Sequence, residues 1–435
     1  MRLSEEHVVR TLRPRRVLRP GNRVFTNFSF DSRLIEEGGL FFALRGRRDG
    51  HLFVEDALDR GASAAVVERA VGDFPQFVVD DSLKALGELA SSTLGSEERV
   101  GITGSAGKTT TKILTHSLLA REFPVETSPG NWNNLVGVPT FLLNRQGAEF
   151  LVVEMGISIP GEMEALVNIA RPTTAVITRI YPVHTETLGG PENIAREKGK
   201  ILSSARRAAF NLDDPHQVSL LKDFGGEIRT FSRSREADIF LRGWRRINLG
   251  ELAVDVDYLG EELSLRFPFW NPVFLENLLA ALAVASFFLR RKPALEGVEP
   301  LEGRGKVHRT GDLWVIDESY NSNPSAALLS LMSLASLDGR KVAVLADMLE
   351  LDQPEEEHRE FGKKISMLPI DVFVFVGPMM KFAFEEASRK REGVYWVESP
   401  EEVSGVLRRL LKGKEVLFFK GSHGTGLWRE VRKWT

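Results

Sequence analysis

The stretch Val100-Gly101-Ile102-Thr103-Gly104-Ser105-Ala106-Gly107-Lys108-Thr109-Thr110-Thr111 decides how the rest of the chain is read. Its glycines let the backbone turn tightly around an anion with no Cβ in the way. A lysine and a hydroxyl follow at once, then a helix-like run over residues 112–119. That order suits a polyphosphate held by amide N–H groups at a helix N-terminus. Lys108 would reach the outer phosphates and Thr109 a Mg²⁺ ion. Gly101 sits one residue too far upstream for the standard G-x-x-x-x-G-K-T spacing, but the core T-G-S-A-G-K-T-T is retained.

Working outward, short β-branched or aromatic runs alternate with helical patterns. Phe150–Glu154, Ala175–Thr178 and Ala208–Asn211 are predicted strands. Such alternation implies βαβ units and a mainly parallel sheet. Ligands of open parallel sheets lie at the carboxyl ends of the strands. The loop at 104–107, Glu154 and the segment after Thr178 all fall at that edge. Residues 227–268 alternate like antiparallel β and are expected to flank the sheet, followed by a helical run over 275–290.

Upstream, residues 24–80 read as a small α/β unit, with a helix over 81–94 and a polar break at Gly95–Arg99. Downstream, Arg291–Gly305 is rich in proline, glycine and charge. A third α/β pattern follows, with strands at 313–316, 342–345, 372–376 and 416–419. The fold class is therefore α/β in three domains, in keeping with 435 residues.

Composition narrows the function. A formal charge of −3 argues against a nucleic-acid binder. The absence of cysteine removes thiol catalysis, disulfides and Cys-ligated metals together. No signal peptide is recognisable at the N-terminus. The longest apolar run, Leu278–Leu289, is too short to span a membrane and reads as a buried helix. Arg10, Arg13, Arg15, Arg16, Arg19 and Arg23 form a basic cluster, read as a solvated segment with anion steering as the alternative.

Several polar residues could carry chemistry. Glu154 ends a predicted strand beside the loop, where it is either a Mg²⁺ ligand or a strand-end surface acid. His184 follows the next strand and could as well be an ordinary loop histidine. Lys198 and Lys200 could form a charged helix face. Gly130-Asn131-Trp132-Asn133-Asn134 is dense in donors and acceptors and could be a turn or part of a site. Asp317–Pro324 precedes a helix, which it could cap, or it could face a substrate.

Taken in order, these motifs resemble the ATP-dependent Mur ligases of peptidoglycan synthesis over nearly the whole chain. The resemblance runs from Asp31-Ser32-Arg33 and Asp49-Gly50-His51 through Thr103–Thr111, Gly130–Asn134, Glu154-Met155-Gly156, His184, Ala195–Leu202 and Asn211–Pro215. It continues with Gly303-Arg304, Asp317–Pro324, Ala346–Leu351 and Lys420-Gly421-Ser422. The blocks G-N-W-N-N, E-M-G, S-Y-N-S-N-P and D-M-L-E-L match the branch that joins D-alanyl-D-alanine to UDP-N-acetylmuramoyl-tripeptide. Neighbouring possibilities are a related Mur or folylpolyglutamate-type ligase with another acceptor, and a non-catalytic nucleotide-binding protein.

The resemblance implies an N-terminal UDP-sugar-binding domain over 1–96, a central ATP-binding domain over 97–300 and a C-terminal Rossmann-like ligase domain over 301–435. It implies attack of a substrate carboxylate on the γ-phosphate of ATP. The acyl phosphate so formed then reacts with the amine of the dipeptide. Lys108, Glu154, His184 and Lys198 would be catalytic. Thr109, Glu154, His184 and Lys198 would hold two Mg²⁺ ions, with Lys198 carbamoylated. Gly104, Ser105, Ala106, Gly107, Lys108, Thr109, Thr110, Asn133, Asn277 and Arg304 would bind ATP, and Ser32, Arg33, Asn321 and Asn323 the other substrates. A cytoplasmic monomer is expected, with neither nucleic acid nor membrane as partner. The chain departs from the pattern at Ala106 and Arg179 (usually Asn), Val273-Phe274 (usually His-Asn), Glu318 (usually Asp) and His423 (usually Arg).

Overall fold

Strands separated by helices give three large sheets in a computed structural model that describes residues 1–46, 48–180 and 188–435. The described residues form two compact units. One gathers the chain up to residue 180, residues 188–231 and Ala280–Pro293; the other gathers Ser232–Leu279 and Ala294–Thr435.

The first unit contains the N-terminal sheet and the parallel strands of the central one. The N-terminal one has the order Arg16–Leu18, Gln76–Val78, Ala62–Val67, Gly39–Phe42, Asn27–Ser29, parallel except for the first strand. Gly39–Phe42 is buried on both faces, as expected of an inner parallel strand. Three arginines of the basic cluster are paired within this region. Arg15 pairs with Asp80 at 2.9 Å, Arg23 with Glu5 at 2.9 Å, and Arg19 with Asp73. Asp81 caps the expected helix, observed over Ser82–Ser92, by accepting from the Lys84 amide.

The central sheet runs Val125–Thr127, Phe150–Glu154, Glu98–Thr103, Thr174–Ile177, Arg207–Asn211, Glu227–Ser232, all parallel. The last of these strands corrects the sequence reading, which placed residues 227–268 in antiparallel structure throughout. Its first four residues are incompletely buried, so its pattern resembles that of a half-exposed antiparallel strand. The polar break also ends sooner than expected, because Glu98 and Arg99 already belong to a strand.

In the second unit Ile239–Asn248, Glu251–Tyr258 and Glu261–Phe267 form the expected antiparallel meander. The C-terminal sheet has the order Lys306–Thr310, Leu313–Glu318, Glu415–Lys420, Arg340–Ala346, Val372–Val376, Val394–Val397. It is parallel except for its first strand. Its two edge strands were not anticipated: Lys306–Thr310 is mostly polar, and the apolar run Val394–Val397 was overlooked. Every residue of Leu278–Ala285 is fully buried, within the helix Leu275–Ala285. Among the described residues no helix is long and apolar enough to cross a membrane.

Candidate active site

The central strand Glu98–Thr103 is buried from Val100 onward and delivers the chain into the glycine loop. Gly104 has φ +148°, and a Cβ there would lie 1.9 Å from Thr178 Oγ1. Gly107 has φ +83° and stands before the helix Lys108–Leu119, which begins four residues earlier than its apolar pattern. Both conformations favour glycine. No side chain caps this helix, so its first amides face the loop and make an anion site.

The end of the next strand holds the loop in shape. Thr178 N donates to Thr103 O at 2.8 Å, Thr178 Oγ1 donates to Ala106 O, and Ser105 N donates to Arg179 O at 2.7 Å. The departures at Ala106 and Arg179 thus take part in these contacts through main-chain carbonyls, which any residue provides.

Glu154 lies opposite Ile102 in the parallel register, which brings its side chain to the lip of the loop. Its Oε2 accepts a 2.8 Å hydrogen bond from Thr109 Oγ1, and its Oε1 accepts one of 2.9 Å from Asn133 Nδ2. Lys112 Nζ stands 3.4 Å from Oε2. Burial opposes ionisation of this carboxyl. The charges of Lys108 and Lys112 and the hydrogen bonds from Asn133 and Thr109 outweigh it, holding the group below the usual carboxylate range. A surface acid is thereby excluded, since Glu154 is 3% exposed.

In the asparagine-rich loop two asparagines have different partners. Asn133 reaches Glu154, whereas Asn134 Oδ1 accepts from the amides of Val136 and Gly137 and starts the helix Gly137–Asn144.

Lys198 is 1% exposed within the helix Pro191–Gly199. Desolvation, then repulsion from Lys108, pushes its pKa down to about 7. Lys200 behaves as the solvated face expected of it, pairing with Glu197 at 2.9 Å. His184 lies outside the described residues.

Among the described residues no three His, Cys, Asp or Glu side chains converge on one point. Mg²⁺ does not require such a cage. It takes one or two carboxylates and completes its shell with phosphate oxygens and water. An ionised Glu154 beside the Thr109 hydroxyl fits that demand.

The other expected site residues are placed as follows. Ser32 is buried and hydrogen-bonds Asp56, while the exposed Arg33 pairs with Asp31 at 2.6 Å. In the second unit Arg304 lies over the Tyr320 ring at 3.9 Å, and Asn277 is buried in its helix. Asn323 Oδ1 caps the helix Pro324–Ala335 through the Ala326 amide, and Asn321 Oδ1 accepts from the Ser322 amide. Glu318, which stands where aspartate is usual, accepts from Trp270 Nε1 at 3.1 Å, Ser330 Oγ at 2.6 Å and Lys420 Nζ at 3.0 Å. Phe274 packs on Phe269, and His423 stacks on Trp428.

Two family descriptions match the chain: "Mur ligase middle domain" over residues 102–285 and "Mur ligase, glutamate ligase domain" over 303–423. A Bacillus subtilis protein named UDP-N-acetylmuramoyl-tripeptide--D-alanyl-D-alanine ligase is 31% identical, over 92% of this chain and 91% of its own length. The chain belongs to the Mur ligase family. The crystal structure of MurF from Acinetobacter baumannii superposes with a TM-score of 0.88 and 25% identity, covering 100% of this chain and 98% of that one. MurF ligase from Thermotoga maritima in complex with ADP gives 0.83 and 29%, covering 94% and 98%.

In this Mur ligase the sequence reading overlooked Lys112 and Thr178, which shape the loop and its acid. Lys112 carried a signal, since it lies one helical turn after Lys108 on the same face. Thr178 carried none, because its role depends on the packing of two parallel strands.

Proposed function

We propose that the chain is the ATP-dependent ligase that joins D-alanyl-D-alanine to UDP-N-acetylmuramoyl-tripeptide in peptidoglycan precursor synthesis, releasing ADP and phosphate. The observation that carries this reading is the contact of the Thr109 hydroxyl with an ionised, buried Glu154 at the mouth of the glycine loop. Amide bond formation from a carboxylate requires a leaving group. Phosphoryl transfer from ATP to the tripeptide carboxylate supplies one. Two anions must approach, so cations and amides must offset their repulsion.

The loop amides at 104–107 and the start of the helix orient the triphosphate. Lys108 offsets charge on the outer phosphates. Thr109 and Glu154 would hold Mg²⁺, which when bound screens the phosphate oxygens and polarises the γ-phosphoryl group. Asn133 keeps the Glu154 carboxylate turned toward Thr109. His184 and Lys198 would serve a second Mg²⁺ site.

A lysine amine whose pKa is about 7 is largely neutral at mildly alkaline pH. A neutral amine can add CO₂ and lose one proton, giving a carbamate that ligates like a carboxylate. Burial of Lys198 supports that modification. Asn277 and Arg304 would contact the nucleotide, Ser32 and Arg33 the UDP-sugar, and Asn321 and Asn323 the acceptor side. The corresponding domains are residues 1–96, 97–300 and 301–435, in a cytoplasmic monomer.

The test is coupled phosphate release with UDP-N-acetylmuramoyl-tripeptide and ATP. D-alanyl-D-alanine is compared with meso-diaminopimelate, lysine and glutamate as acceptors. Turnover with the dipeptide alone is expected. Turnover with one of the single amino acids instead would replace this assignment by that of a sister ligase, and none with any acceptor would end it.

A further inference from the structure

Lys112 Nζ donates to the carbonyls of Ser128 at 2.7 Å and Gly130 at 3.0 Å, and stands 3.4 Å from Glu154 Oε2. The side chain is 4% exposed. An ammonium group has three protons, and among the described residues two carbonyls and a carboxylate face this one. That arrangement suits a fastening group better than a phosphate ligand. Lys108, one turn earlier, is built differently, with its Nζ donating to Gly104 O within the loop at 2.9 Å.

The groups that Lys112 touches are themselves linked. Ser128 Oγ accepts from Glu154 N at 3.2 Å, Gly156 N donates to Asn133 O at 2.7 Å, and Asn133 Nδ2 donates to Glu154 Oε1. One cation therefore joins three pieces of chain: the helix after the glycine loop, the segment 128–133 and the end of the strand Phe150–Glu154. Without it the buried Ser128 carbonyl and the buried Glu154 carboxylate would each lose a partner, and the carboxylate, then held by Thr109 and Asn133 without the cation, would be freer to turn.

We infer that Lys112 is a positioning residue for the ligase reaction, fixing the Glu154 carboxylate and the segment 128–133 against the nucleotide-binding helix. The inference rests on the role given above to Glu154. A misplacement of about 1 Å at a reacting centre costs about 10²-fold in rate, and that is the loss expected when Lys112 is replaced.

The experiment uses the full-length enzyme with Lys112→Met and Lys112→Gln, assayed where circular dichroism shows the wild-type fold; whichever variant stays folded is read. We expect kcat to fall about 10²-fold, with the KM for D-alanyl-D-alanine within about twofold of wild type. Asn133→Ala should lower kcat by less. Adding it to the Lys112 variant should cost almost nothing more, because both residues act on one carboxylate. ADP binding measured by calorimetry should weaken in parallel.

A purely structural role predicts otherwise: near-normal kcat in the folded fraction and multiplicative effects in the double variant. Either result overturns the inference. Glu154→Gln separates the two levels. If it too turns over normally, the role given to Glu154 fails. If it is inactive while the folded Lys112 variant is active, only the inference about Lys112 falls.

Discussion

Thr109 Oγ1 and Glu154 Oε2 are joined by a 2.8 Å hydrogen bond across 45 positions of sequence. The bond brings the first turn of one helix to the tip of a neighbouring strand. Glu154→Gln retains the size of the side chain and removes its charge. Phosphate release should fall by about 10²–10³-fold. Urea unfolding should show a loss of about 3 kcal/mol, because the buried Lys112 loses the charge of Glu154 that stands 3.4 Å from it.

Gly104 and Gly130 both have positive φ, at +148° and +49°, yet only Gly104 is crowded. A methyl group at Gly130 meets nothing within 4 Å, whereas at Gly104 it meets Thr178 Oγ1 at 1.9 Å. Gly130→Ala should therefore cost about 1 kcal/mol from backbone conformation alone. Gly104→Ala should cost about 2 kcal/mol more through overpacking, and should abolish ADP binding in calorimetry. Replacing Thr178 by Ala in the Gly104→Ala background should restore part of the stability.

Lys198 makes stability depend on pH. Its pKa is lowered from 10.5 to about 7 in the folded protein. Below about 7 both states hold the proton, and the cost of burying the ammonium is present in full. Between about 7 and 10.5 the unfolded chain binds more protons than the folded one, so stability rises with pH. Lys198→Met should be the more stable protein at pH 6, with its advantage shrinking as pH approaches 10. Urea midpoints of both proteins across that range provide the check.

In the second unit Glu318 and Lys420 form a buried ion pair at 3.0 Å, with side-chain exposures of 5% and 7%. Lys420 Nζ also reaches the Asn321 carbonyl at 3.3 Å. Lys420→Met leaves the carboxylate without its cation and should destabilise by about 3–5 kcal/mol. The double variant Glu318→Gln/Lys420→Met should lose less than the sum of the single losses. Denaturant titration of the three variants gives the coupling.

Asn323 is engaged as a helix cap, with its Oδ1 2.8 Å from the Ala326 amide. Asn323→Ala should lower stability by about 1 kcal/mol. Asn321→Ala, which leaves that cap intact, should instead raise the KM for D-alanyl-D-alanine. Steady-state kinetics beside denaturant curves separate the two effects.

Much of the fold was legible along the chain. The inner strands and the glycine loop read correctly because their signals are local: apolar runs of strand length, and glycines where the backbone must turn. The edge strand Lys306–Thr310 escaped notice because half-exposed strands share the composition of loops, whereas Val394–Val397 carried a strand signal in its β-branched and aromatic residues that the reading passed over. Glu227–Ser232 was assigned the wrong pairing because incomplete burial at a parallel strand resembles antiparallel alternation. For Asp317–Pro324, composition allowed both capping and substrate contact, and only the position of Asn323 relative to its helix identified the cap.

The sequence by itself determined the α/β class, the position of the phosphate loop and the family of the chain, since these depend on residue order over a few positions. Only the tertiary structure decided the electrostatics of the site. Glu154 is ionised because Lys112, Lys108, Asn133 and Thr109 surround it, and Lys198 loses its proton readily because it is buried near Lys108. Desolvation and charge pairing depend on distances through space, and residues far apart in the chain set those distances.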